Sequence, residues 1–165
     1  MVKKKETTKY SNQISVGKFI FLSIISAGIY EIVWFYRSWK FFREKEKLNI
    51  SHFWRAFFAI FFVYELFWKM LEYARKVKYK EVYSPGWKAF LWVMINIMWY
   101  LPDPFWLIGI FAFLPLLAPL NAMNYYLKKT EKNSQLRTGK WWHILLIILC
   151  IMIWVQVLII LFVAK

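Results

Sequence analysis

The sequence is poor in cysteine, histidine and acidic residues. Its 165 residues include one cysteine, two histidines and nine Asp and Glu, against 23 Lys and Arg, for a formal net charge of +14. The single cysteine excludes an intrachain disulfide, and two histidines without a third suitably spaced ligand make no metal or haem site. A glycine-rich phosphate loop, a nucleophile elbow and a Ser-His-Asp set are also missing. We therefore expect no cofactor, no metal and no enzymatic activity.

Charge is also absent from long stretches of the chain. Residues 105–127 form a run of 23 positions without a charged side chain, and 61% of the sequence is hydrophobic. A helix rises about 1.5 Å per residue, so this run is long enough to cross the ~30 Å hydrocarbon core of a bilayer. We predict a polar basic tail over residues 1–17 and a single integral membrane domain over residues 18–165. Its apolar segments are residues 19–36, 53–71, 87–101, 105–127 and 142–164.

Two of these segments form a predicted hairpin. Pro102, Asp103 and Pro104 separate residues 87–101 from residues 105–127, and Asp103 fits a turn residue that accepts backbone hydrogen bonds. We expect an all-α fold, a small polytopic membrane helical bundle of three to five membrane segments with amphipathic cytoplasmic helices.

Lysine and arginine are concentrated in the connections between the apolar segments. They cluster in residues 37–47, 69–88 and 128–140, whereas the turn at residues 101–104 has none. Cytoplasmic loops carry the excess of basic residues in membrane proteins. The pattern predicts a multi-pass membrane protein with a cytoplasmic N-terminus and an external turn at Pro102, Asp103 and Pro104.

The path of the first apolar segment has two interpretations. Residues 19–36 barely span a bilayer, Glu31 interrupts them, and Gly28 weakens a helix near its middle. We expect five crossings in all. The alternative is that the first two apolar segments dip into the membrane and return, which leaves three.

Three ionisable residues fall within or beside apolar segments. They are Glu31, Arg55 and Glu65. A carboxylate inside a bilayer costs about 2–3 kcal/mol or more unless it is paired or protonated, so we expect Arg55 to pair with one of the two glutamates. One interpretation is a proton- or ion-responsive cluster. The simpler one is that both glutamates form structural salt bridges near the interface.

Amide side chains and prolines also lie at apparent membrane depth. The amides, candidates for polar packing or for a pathway, are Asn96, Asn121, Asn124 and Gln156. An amide in hydrocarbon needs a partner, so we expect Asn96 to contact a neighbouring helix. Pro115 and Pro119 remove helical hydrogen bonds and predict a kink.

The second apolar segment continues into a charged helix. Glu65, Lys69, Glu72 and Lys76 recur at spacings of four, three and four residues, which places them on one helix face. We expect the helix to leave the membrane near Lys69.

Three motifs resemble a known family. They are GIYEIVWFYRSWK at residues 28–40, NISHFWRA at residues 49–56 and LPDPFWL at residues 101–107. In these the chain resembles a family of small bacterial multi-pass membrane proteins described only as a domain of unknown function. The resemblance implies a bacterial inner-membrane protein and no particular activity.

Two functions are compatible with these features. The first is a non-enzymatic scaffold or regulatory protein whose basic, aromatic cytoplasmic face binds anionic lipids of the bilayer, a membrane protein partner or a second copy of the chain. The alternative is a small transporter or oligomeric channel that uses Glu31, Arg55 and Glu65. Nucleic acid is not an expected partner, because the basic residues lie in short clusters beside apolar segments.

Overall fold

The computed structural model describes residues 13–47, 51–102 and 105–130. Within these ranges every regular element is a helix and no strand occurs, which confirms the all-α prediction. The α-helices are α1 (Val16–Ile25), α2 (Ile29–Glu46), α3 (His52–Phe57), α4 (Ala59–Lys76), α5 (Pro85–Ile97) and α6 (Leu117–Thr130), and the 3-10 helices are Met98–Tyr100 and Phe105–Leu116. The last predicted segment, residues 142–164, lies outside the described residues.

Helices α1 and α2 form a hairpin. The backbone turns at Ala27 and Gly28, whose φ angles are 46° and 87°, and the Ser26 hydroxyl accepts a 2.9 Å hydrogen bond from the amide of Tyr30. The rings of Phe19 and Trp34 lie 5.4 Å apart, whereas 15 positions of a straight helix span about 22 Å. Residues 19–36 therefore belong to two helices folded together and do not form one straight helix.

The second apolar segment is also broken. Ser51 caps α3 by accepting a hydrogen bond from the amide of Trp54. Helix α3 ends at Phe57 and α4 begins at Ala59, because Phe58 between them has the non-helical φ and ψ angles −91° and 42°. Helix α4 continues to Lys76, well beyond its apolar part, as the charge pattern predicted. Because of the break at Phe58, α3 lies beside the first turns of α4, where Arg55 pairs with Glu65.

The two arms of the predicted 87–127 hairpin pack against each other. Ser84 caps α5, and the indole of Trp99 lies so close to Gly109 that a Cβ there would sit 2.5 Å from the ring. The amide of Phe105 donates a 3.0 Å hydrogen bond to the carbonyl of Pro102 and closes the turn. Asp103 and Pro104 lie outside the described residues.

The second arm changes helix type along its length. Pro115 lies in the 3-10 helix Phe105–Leu116, and the α-helical geometry begins only at Leu117. Pro119 then falls in the first turn of α6, where no helical N–H is needed. The change of helix type thus lies between the two prolines at which the sequence predicted a kink. The 3-10 helix and α6 are continuous, and Leu107–Thr130 is the one helix of the described residues that is long and apolar enough to cross a membrane.

Aromatic rings fill the core and bring three helix ends together. Phe42 of α2 contacts Tyr73 of α4 with ring centroids 5.2 Å apart, and Tyr73 contacts Tyr126 of α6 at 5.3 Å. The backbone of Ile14, just before α1, pairs with the side chain of Asn124. The beginning of α1 and the C-terminal ends of α2, α4 and α6 therefore lie at the same end of the molecule.

Candidate functional site

Exposed basic residues gather where α2, α4 and α6 end. This surface, the basic pole, comprises Lys45, Lys47, Arg75, Lys76, Lys78, Lys80, Lys128 and Lys129. The connection after α4 belongs to it, because Tyr79 contacts Tyr125 with ring centroids 5.1 Å apart. The helix dipole favours cations at helix C-termini, so the three helix ends partly offset the repulsion between these lysine and arginine side chains.

Aromatic rings hold several of these lysines in place. The Lys45 ammonium lies 5.2 Å from the ring centroid of Tyr126, and the Lys76 ammonium lies 4.4 Å from that of Tyr73. Lys129 lies over Tyr125 at 5.7 Å. Cation–π contacts restrain the side chains but leave N–H donors available to an anion. The basic pole can therefore bind phosphate groups through several ammonium donors at once.

A partly buried polar contact joins α2 to α4 next to the basic pole. The Glu46 carboxylate accepts hydrogen bonds from Lys69 Nζ at 2.7 Å and from the Tyr73 hydroxyl at 2.8 Å. Burial acts to raise the pKa of Glu46, but the two hydrogen bonds and the Lys69 charge outweigh it, so this pKa lies below its ordinary value. Burial and the Glu46 contact raise the pKa of Tyr73.

The predicted charged face of α4 pairs differently from the simplest i,i+4 pattern. Glu72 and Lys76 form the expected pair at 2.8 Å. Lys69 instead pairs with Glu46 of α2, and Glu65 pairs with Arg55 of α3. Tertiary partners therefore replace the Glu65–Lys69 pair, because α2 and α3 bring oppositely charged side chains against this face.

Arg55 lies in an aromatic slot between three helices. Its Nη1 atom is 2.5 Å from Glu65 Oε2, and its guanidinium carbon lies 4.6 Å from the Trp39 ring centroid and 4.8 Å from that of Phe62. The side chains of Arg55 and Glu65 are 22% and 42% exposed. Such a partly solvated ion pair with stacked rings matches the simpler interpretation of these residues, a structural salt bridge.

Glu31 lies apart from that ion pair. It is 2% exposed, and its carboxylate accepts a 2.7 Å hydrogen bond from Trp92 Nε1. Trp39, over which Arg55 stacks, is eight positions further along α2, or about 12 Å. Arg55 and Glu65 therefore meet, while Glu31 has an indole partner from α5.

The predicted polar packing residues do not converge on one pathway within the described residues. Asn96 donates to the carbonyl of Trp92, one turn back in its own helix, so the expected bond to a neighbouring helix is replaced by a local one. Asn124 joins α6 to the backbone of Ile14, and Asn121 is exposed. Gln156 lies outside the described residues.

The sequence reasoning missed the surroundings of His52. Its Nε2 atom lies 3.1 Å from the Tyr36 hydroxyl, and burial lowers its pKa, as do the charges of Arg43 and Lys40. Its Nδ1 atom is buried without a partner among the described residues. Among all the described residues, no group of three or more His, Cys, Asp or Glu side chains could hold a metal ion. The start of α3 thus lies in a positively charged environment beside α2.

No family model, curated protein or solved structure matches the chain. The family resemblance of the three motifs therefore stays a prediction.

Proposed function

We propose that this chain is a multi-pass protein of a bacterial inner membrane, and that its basic pole binds anionic lipid head groups on the cytoplasmic side as a non-enzymatic scaffold or regulator. The observation that carries the proposal is the polarity of the helix Leu107–Thr130. It begins beside the turn at Pro102, where no basic residue occurs, and it ends at Lys128 and Lys129 in the basic pole. This is the charge asymmetry of a membrane protein with its basic end inside.

The exposed surface supports a membrane location. Among the described residues, 22 large hydrophobic side chains are exposed, and Phe61 reaches 76%. On the hairpin arms they include Phe90, Ile97, Phe105, Leu107, Ile108, Phe111 and Leu114. Soluble monomers rarely expose apolar patches of more than a few hundred Å², because water disfavours them. Acyl chains solvate such side chains at no comparable cost.

The re-entrant alternative fits this topology best. Ile14 and the C-terminal end of α2 both lie beside the last turns of α6, so the α1–α2 hairpin begins and ends at the basic pole. Helix α1 has ten residues and a length of about 15 Å, half of a bilayer core. The proposed crossings are then residues 87–101, 105–127 and 142–164, with the N-terminus cytoplasmic.

Anionic phospholipid matches the chemistry of the basic pole. Each lysine near an anionic leaflet contributes about 1 kcal/mol of attraction, which weakens with rising salt. The rings of Tyr73, Tyr125 and Tyr126 hold three of these lysines in fixed positions, which lowers the entropy lost when a head group binds.

Lipid retention measured by native mass spectrometry tests this function. The full chain is purified in detergent and mixed with equal amounts of phosphatidylglycerol and phosphatidylcholine. We expect preferential retention of phosphatidylglycerol, reduced at least about tenfold in the triple variant Lys45→Gln, Lys76→Gln and Lys129→Gln. The matched triple variant with Arg at the same positions keeps the charge and should keep the preference. Equal retention of the two lipids by the unmodified protein would contradict the proposal.

A small transporter or oligomeric channel is the second candidate. The observation in its favour is the burial of Glu31 with one indole N–H as its hydrogen-bond donor. Buried ionisable groups at membrane depth often belong to ion or proton pathways. Proton or cation flux into proteoliposomes that is abolished by Glu31→Gln would support this function, and flux that persists in the variant would exclude a role for Glu31 in it.

A further inference from the structure

Helix α3 and the beginning of α4 present a surface made of aromatic side chains. This surface, the aromatic ridge, comprises Phe53, Trp54, Phe57, Phe58 and Phe61, which are 55%, 56%, 65%, 44% and 76% exposed. No described element covers these side chains, although their helices pack firmly on the inner side. The ridge therefore faces an environment outside the described chain.

The rings of the ridge pack mainly on one another. Phe53 stacks on Phe57 with centroids 6.4 Å apart, Trp54 stacks on Phe58 at 5.9 Å, and Phe57 contacts Trp54 edge-on at 6.2 Å. These four rings form one continuous surface, and Phe61 lies one turn further along, where its amide donates a 3.1 Å hydrogen bond to the carbonyl of Phe58. Ala56, at 3% exposure, is the buried residue of α3, so the helix packs on the rest of the protein through a different face.

The contacts of α3 place it at the level where α2 changes from apolar to charged. His52 contacts Tyr36, the last residue of the apolar segment, and Arg55 stacks on Trp39, two residues after the first arginine of α2. In a membrane protein with its basic end in water, this is the level of the lipid head groups.

Cations border the ridge on the side of α2. Arg43 and Lys40 act electrostatically on His52 at the start of α3, and Arg55 is partly exposed beside the rings. Aromatic rings together with lysine and arginine are typical of surfaces at the membrane interface, where the rings lie among the glycerol groups and the cations meet phosphate.

We propose that the aromatic ridge is inserted into the head-group and glycerol layer of the leaflet that adjoins the basic pole, with anionic phospholipid as its occupant. The proposal rests on the membrane location proposed above. Helix α3 has six residues and a length of about 9 Å, so it cannot cross a bilayer and lies within one leaflet. The ridge thereby fixes the depth of the re-entrant half of the protein.

Spin-label depth measurements on the full chain test the proposal. In a Cys150→Ser background, single cysteines replace Phe57, Phe61, Phe111 or Lys80 and carry a nitroxide, and the protein is reconstituted into phosphatidylethanolamine and phosphatidylglycerol vesicles. Collision with oxygen and with a water-soluble nickel complex gives the depth of each label. We expect the labels at 57 and 61 within about 5–10 Å of the phosphate level, the label at 111 deeper, and the label at 80 in water.

The outcomes separate this proposal from the proposed function. Labels at 57 and 61 in water, with the label at 111 deep, would overturn the ridge and leave the membrane location intact. A label at 111 in water would overturn both. Spin–spin coupling between labels at 57 that persists on dilution with lipid would show a second copy on the ridge and overturn lipid as its occupant. If Phe57→Cys does not fold, Phe53→Cys reports the same surface.

Discussion

Trp92 Nε1 donates a 2.7 Å hydrogen bond to the carboxylate of Glu31, which lies 61 positions earlier in the chain. Both side chains are buried, and the Trp92 ring also meets Phe35 edge-on with centroids 5.0 Å apart. One indole thus connects α5, an arm of the 87–127 hairpin, to the first turn of α2, an arm of the α1–α2 hairpin. Removal of this donor leaves a buried carboxylate without its described partner.

Trp92→Phe should therefore lower the free energy of unfolding by more than the smaller volume of the phenylalanine side chain would cause. We expect a loss of about 1–3 kcal/mol in the free energy of unfolding, because the Glu31 carboxylate stays desolvated without a donor. Glu31→Gln keeps an acceptor for the indole and should cost less. Denaturant unfolding in detergent micelles measures both, with Trp87→Phe, a 58% exposed tryptophan, as the matched control. Equal stability of Trp92→Phe and Trp87→Phe would show that the hydrogen bond contributes nothing.

The helical class and several boundaries were predictable because local chemistry sets them. Gly28 allows the positive φ of the first turn, and Ser84 followed by Pro85 starts α5. The break at Phe58 has no such signal, since no glycine or proline lies there. Tertiary contacts accompany it, notably the pairing of Arg55 with Glu65, and a local pattern does not encode them.

The candidate site was predictable only in part for the same reason. Arg55 and Glu65 bracket one apolar run, so their proximity could be expected from charge alone. The partner of Glu31 could not, because an indole donor 61 positions away leaves no periodic signal. The sequence shows Tyr125 and Tyr126 just before Lys128 and Lys129. The contact of Lys45 with the Tyr126 ring was not predictable, because it depends on the packing of α2 on α6.

Acid should weaken the contact between α2 and α4 at Glu46. The pKa of Glu46 in the fold lies below its ordinary value of 4.5, so its carboxylate stabilises the fold above that pH. The stabilisation is lost as the pH falls through the lower folded-state pKa. The stability difference between the unmodified protein and Glu46→Gln should be largest near pH 7 and should shrink as the pH falls below 4.5.

The control for this pH profile is a neighbouring carboxylate. Glu44 lies on the same helix and forms no ion pair in the described part of the chain. Glu44→Gln should leave the unfolding midpoint almost unchanged over the same pH range. A difference for Glu46→Gln that grows as the pH falls would have the wrong sign and would refute the assignment.

Arg55→Lys should destabilise the junction of α2, α3 and α4 although the charge is kept. Lysine cannot place a planar guanidinium between Trp39 and Phe62, and we expect a loss of about 1–2 kcal/mol. Glu65→Gln should cost less, because the Glu65 side chain is 42% exposed and water screens the ion pair. Arg75→Lys at the exposed end of α4 is the matched control. An Arg55→Lys midpoint equal to that of Arg75→Lys would show that stacking contributes no stability.

Gly109→Ala should separate the two arms of the 87–127 hairpin. An added Cβ would lie 2.5 Å from Cε2 and Nε1 of Trp99, which is shorter than any van der Waals contact, so the ring or the backbone has to move. We expect a loss of about 1–3 kcal/mol in the free energy of unfolding.

The control is Gly17, in the first turn of α1, where an added Cβ meets no atom within 4 Å. Gly17→Ala should be neutral or should stabilise the protein by up to about 1 kcal/mol. Thermal unfolding in detergent of both variants and of Gly109→Ala combined with Trp99→Leu distinguishes a clash from a general effect of alanine. If the two groups clash, the double variant should lose less stability than the sum of the losses in the two single variants, because the smaller side chain makes room for the new methyl group. Additive losses would place the Trp99 ring away from Gly109 and would contradict the packing of the two arms described above.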